Sequence, residues 1–225
     1  VSSTLLQLVQ SSRSNLLEEE HARVVRRSVE AQQLLASALS STPALTTPFD
    51  AANPLAGQLQ FVAKVIAARG ALGAKRQVFF VSLGGFDLHD FLPDQHPTLL
   101  ANVSSAIKSF HDATLELGVA DRVTTFTASD FGRTLSSNGD GSDHGWGSHH
   151  FVVGGAVRGG RFYGTAPEVS VLSSDQVGQG RLLPATSIEQ FAAPMAAWFG
   201  VSPAEMPLVF PNAANFDLTA SPFFG

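Results

Sequence analysis

Six of the seven histidines lie between His89 and His150, and they keep company with aspartate. Four of the six, with aspartates, fall in two of three glycine-rich groups: Gly84-Gly85-Phe86-Asp87-Leu88-His89-Asp90, then Ser129-Asp130-Phe131-Gly132-Arg133-Thr134, which carries an aspartate and no histidine, then Ser142-Asp143-His144-Gly145-Trp146-Gly147-Ser148-His149-His150. The chain has no cysteine, so thiolate metal sites, cysteine nucleophiles and disulfide scaffolds are excluded. Imidazole with carboxylate suits a divalent transition metal, zinc first, with manganese or iron as alternatives. Calcium is a further alternative, although a hard cation prefers oxygen alone. A dication held by two or three such groups can acidify a water or neutralise a phosphoryl or sulfuryl oxygen. The candidate ligands are Asp87, His89, Asp130, Asp143, His144 and His149. Adjacent side chains on an extended segment point to opposite faces, so only one of His149 and His150 can face a site. Arg133 offers a planar fork for an anionic ester and is the candidate catalytic residue. Asp and His in such loops also serve as turn formers and caps, and His96 and His111 are expected to be surface or structural residues.

These groups must be held by regular elements. Residues 4 to about 40 carry apolar positions at helical spacing, among them Leu5, Leu8, Val9, Leu16, Val24 and Leu34, and the polar run Ser11–Asn15 can divide them into two helices. A Ser/Thr/Pro-rich linker follows to Pro54, and a second helix is expected from Pro54 to Arg69. Gln77–Leu83 (QVFFVSL) is a continuous apolar run, the pattern of a strand buried on both faces. A helix is expected over Thr98–Leu117, a strand over Arg122–Ala128, a short strand over Phe151–Val153 and a helix over Ser187–Phe199. Strand, loop, helix and strand in that order imply an α/β fold with a mostly parallel sheet and flanking helices. The first two groups then follow strands and meet at one sheet edge, where such folds place their sites. The division expected is a helical segment over residues 1–74 and an α/β part over residues 75–225. Gly154–Gly160 lacks the Lys-Ser/Thr ending of a phosphate-binding loop and reads as a tight turn.

The motifs FFVSLGGFDLH, TASDFGRT and DHGWGSHHFVVGGAVRGGRFYG resemble those of an uncharacterised bacterial family of exported proteins in the alkaline phosphatase and sulfatase superfamily. The resemblance covers about residues 75–165. It implies a partial alkaline-phosphatase-like α/β domain, the C-terminal half of a longer protein, and descent from metal-dependent ester hydrolases. It places Asp87, His89 and His144 at a first metal and Asp130 at a second. It also implies export by a twin-arginine leader, hence a periplasmic or extracellular location, and a partner in the N-terminal half of the same protein or in a second copy. Three departures stand out. Asp87 and His89 are two apart where the enzymes have four, Phe131 stands where an Asp-His pair has its imidazole, and no serine or threonine follows an earlier strand as a nucleophile.

The remaining composition narrows the function. The 225 residues carry a net charge of −5, which argues against nucleic-acid binding, and no apolar run reaches membrane-spanning length. The leading expectation is a metal-dependent hydrolase of small phosphate or sulfate esters. The alternative is a degenerate, non-catalytic relative used for binding or surface assembly.

Overall fold

The computed structural model describes Thr4, Gln7, Leu8, Ser11 and residues 14–219 and 222–224. Leu5 and Val9 of the expected N-terminal helix lie outside the described residues. Helix α1 spans Leu16–Ser40. Asn15 closes the polar run before it and caps it, its side-chain oxygen accepting from the N–H groups of Leu17 (2.9 Å) and Glu18 (3.4 Å). Helix α2 spans Pro54–Ala67 and starts on a proline, whose missing N–H costs nothing at a first helical position. Helix α3 spans Leu92–Glu116, beginning at Leu92 rather than Thr98 and continuing through Pro97. Helix α4 spans Ile188–Phe199, where Ser187 and Gln190 form a reciprocal capping box and Gly200, at φ 109°, ends the helix. The C-terminal coil contains the short helix α5 (Met206–Val209) and a 3-10 turn at Ala213–Asn215. Among the described residues no helix is long and apolar enough to cross a membrane.

The strands depart from expectation. Among the described residues there is no mostly parallel, alkaline-phosphatase-like sheet; β1 (Thr124–Phe126) pairs antiparallel with β4 (Val152–Gly154), and β2 (Gly132–Ser137) pairs antiparallel with β3 (Ser142–Gly145). A parallel pair needs a crossover between its strands, commonly a helix. Between β1 and β4 the chain instead folds on itself as the β2–β3 hairpin. Its turn, Asn138-Gly139-Asp140-Gly141, carries the Asn-Gly and Asp-Gly steps that favour tight hairpin connections. The expected strand at 77–83 makes no ladder. At Ser82 both backbone groups are taken by the Gln58 side chain, which donates to Ser82 O (2.8 Å) and accepts from Ser82 N (3.1 Å), as a neighbouring strand would. Phe80 in this run is 92% exposed.

The chain divides into two compact units, residues 1–45 with 61–79, and residues 46–60 with 80–225. The first buries Ala22 and Ala38 of α1 and Val62, Val65 and Ile66 of α2. The second holds the strands and all the candidate site residues. Its buried positions include Leu55, Leu59, Leu88, Ala106, Phe110 and Phe223. Within it Asn53, 2% exposed, accepts from Leu55 N (3.0 Å) and donates to Asn102 O (2.8 Å), so one side chain caps α2 and fastens it to α3.

Candidate metal centre

The spacing of Asp87 and His89 is explained by the residue between them. Leu88 is buried, at 6% exposure, while the side chains of Asp87 and His89 are 57% and 45% exposed. Side chains alternate on an extended segment, so an Asp-x-His step anchored by a buried Leu presents both ligands on one side. His144 is delivered by the hairpin. Within the β2–β3 register Arg133 stands opposite His144 and Gly132 opposite Gly145. Ser142 N–H donates to Leu88 O (3.4 Å), which joins the hairpin to the Asp87 segment. Glycine is required where the two backbones meet, because a Cβ on Gly141 would overlap the main chain of His89 and Asp90.

Asp87, His89 and His144 converge. Asp87 Oδ1 lies 2.7 Å from His144 Nε2 and 2.9 Å from His89 Nε2, and the two imidazole nitrogens are 3.2 Å apart. Metal–ligand bonds of about 2.0–2.2 Å put neighbouring ligand atoms roughly 2.9–3.4 Å apart for right-angled to tetrahedral arrangements. The three atoms already stand at nearly the spacing a zinc-sized ion needs, and the donor set of two imidazoles and one carboxylate fits a first-row dication. The hydrogen bond with His144, then that from Arg133 and the charge of the two imidazoles, holds the Asp87 carboxyl below the usual carboxylate range against its partial desolvation.

Each ligand has an outer support. The Nδ1 atom of His89 is 3.4 Å from Asp143 Oδ1, a carboxylate behind a candidate ligand. Arg133 Nη1 donates to Asp87 Oδ1 (3.1 Å). Phe131 stacks on His144, with ring centroids 3.9 Å apart and planes 5° from parallel, and the Arg133 guanidinium carbon lies 5.7 Å from the Phe131 centroid. The supports Phe131, Leu88 and Ser142 escape a search for ligand-type residues. The burial alternation of the Asp-Leu-His step and the Asn-Gly and Asp-Gly turn are the signals that point to them.

The other candidates stand apart from the triad. Asp130 and His149 are exposed and do not belong to the group of converging ligand atoms, and Asp143 sits behind His89 rather than beside the other two. His150 lies 3.4 Å from Thr127 Oγ1 and 5.8 Å, centroid to centroid, from Phe191. Burial, and then the neighbouring His149, lowers its pKa.

No curated protein and no solved structure matches this chain. Residues 3–214 match the family described as protein of unknown function (DUF1501), and the chain belongs to that family.

Proposed function

We propose that this protein is a metal-dependent hydrolase of phosphate or sulfate esters, with one divalent ion held by Asp87, His89 and His144. The observation that carries the reading is the convergence of one carboxylate oxygen and two imidazole nitrogens within 3.2 Å of one another. Zinc is the ion of choice for this donor set, with manganese or iron next. When bound, such an ion supplies Lewis acidity, lowering the pKa of water and neutralising charge on an ester oxygen. The chain's own residues hold the geometry. Asp143 sits 3.4 Å behind His89 Nδ1, leaving Nε2 turned to the other two donors, and the Phe131 ring stacks on His144. About half of each ligand side chain is open to solvent, so water and a small anionic ester can reach the site. Asp130 does not belong to the converging group, and the reading takes one ion. On the same reading, the resemblance to a family of exported proteins supports work in the periplasm or outside the cell.

The test is elemental analysis of the unchelated protein, followed by assay with p-nitrophenyl phosphate and p-nitrocatechol sulfate. About one equivalent of metal is expected, with turnover lost in Asp87→Ala and His144→Ala while the fold is retained. Protein that takes up no metal after chelation and back-titration would sink the proposal. Metal uptake without turnover of either ester class would favour the second reading, a binding protein descended from a hydrolase. Phe131 in place of an imidazole is the feature that favours it.

A further inference from the structure

Arg133 has the chemistry expected of an anion-binding residue, but its donors are already engaged. Nε donates to Ser142 Oγ (3.0 Å), Nη1 donates to Asp87 Oδ1 (3.1 Å), and Nη2 donates to the main-chain oxygens of Leu88 and Ser142. Those bonds use four of the five guanidinium N–H groups. The side chain is only 20% exposed, against 57% for Asp87. Arg133 also borders a cavity of about 370 Å³ with Leu92, His96 and Asp140. One Nη1 N–H remains, so an anion that is to take two donors of the fork would have to break a bond to Asp87, Leu88 or Ser142.

We infer that Arg133 is a positioning residue: its fork ties the Asp87–Leu88 backbone to Ser142 and sets Asp87 Oδ1 against the two imidazoles, and it does not bind the substrate. This rests on the metal reading above. The argument turns on geometry and charge having opposite signs. A guanidinium beside a dication repels it, so on charge alone its removal tightens metal binding. A guanidinium that preorganises a ligand does the reverse, and loss of such an outer partner typically weakens metal binding about 10- to 100-fold. Lysine keeps the charge but cannot reproduce a fork to four acceptors in two segments.

The experiment measures Zn²⁺ affinity by calorimetry on the full chain and its Arg133→Lys and Arg133→Gln variants. Far-ultraviolet dichroism checks folding, and the visible spectrum of the Co²⁺ form reports ligand geometry. Both variants are expected to bind Zn²⁺ about 10- to 100-fold more weakly, with an altered Co²⁺ spectrum. Equal or tighter binding by either folded variant overturns the inference while leaving the metal reading in place. Wild-type protein that binds no Zn²⁺ overturns both. Should the variants fail to fold, the Arg133 Nε–H resonance of wild-type protein decides. It is expected to stay fixed on titration with inorganic phosphate or sulfate, and a saturable shift with either anion would show that Arg133 receives it.

Discussion

Asp87, His89 and His144 show how far a site depends on single residues and their immediate supports. Asp143 lies 3.4 Å behind His89 and makes no approach to the other two ligands, which defines its role by direction rather than by type. Asp143→Ala is therefore expected to weaken metal binding by about 10- to 100-fold without abolishing it, measured by competition with a chromogenic chelator. His144→Ala removes a ligand and should abolish binding at the same concentrations. Phe131 makes a different prediction. Its ring lies parallel to His144 at 3.9 Å, so an imidazole placed there would offer its face, not its in-plane lone pairs. Phe131→His is expected to leave the stoichiometry at one metal per chain, and a second equivalent by elemental analysis would contradict the single-ion arrangement.

The elements that carry these residues are joined at a few points, and each gives a measurable consequence. Gly141 meets the main chain of His89 and Asp90, so Gly141→Ala forces the hairpin and the ligand segment apart. Overpacking of this kind costs about 1–3 kcal/mol, and the variant should lose metal affinity together with stability in urea titrations. Asn53 joins α2 to α3. Asn53→Ala removes a cap worth about 1 kcal/mol and leaves buried groups without partners, for a total loss of roughly 2–3 kcal/mol. At the other end of α3, Glu116 accepts from Thr46 N (2.7 Å), Thr47 N (2.8 Å) and Thr47 Oγ1 (2.5 Å), which lowers its pKa from 4.5 to about 2. A carboxyl depressed on folding adds stability above its unfolded pKa and loses it as pH falls through the folded value. Glu116→Gln should thus be less stable than wild type at pH 7. The gap should narrow between pH 4.5 and about 2, read from denaturation curves across that range.

For the whole molecule, an ion bound at the proposed site would be a lever on stability. A ligand that binds only the folded state at 100 times its Kd adds about 2.7 kcal/mol. For a chain of this length that corresponds to a rise in Tm of roughly 5–10 °C. Zinc added to chelated protein should produce that shift, and the His144→Ala variant should show none. The same experiment reads where the metal acts: the ligands all lie in the unit formed by residues 46–60 and 80–225, so that unit should carry the shift.

What the amino-acid sequence determined by itself was the local chemistry. The absence of cysteine and the grouping of His with Asp restrict the site to imidazole and carboxylate donors, and three of the candidates, Asp87, His89 and His144, do converge. The helices α2 and α4 were equally legible, because apolar periodicity, a starting Pro54 and the Ser187–Gln190 box act within a few residues. The direction of strand pairing was decided only in the tertiary structure. An apolar run such as QVFFVSL states that it can be extended and buried; it does not state which backbone will meet it, and at Ser82 the partner is the Gln58 side chain. The same holds for Arg133 and for Asp130. Their types allow anion binding and metal ligation, but tertiary contacts decide that Arg133 is bound by Asp87, Leu88 and Ser142, and Asp130 is not in the converging group. Donor chemistry is a property of a residue, whereas the direction in which it points is set by contacts tens of residues away.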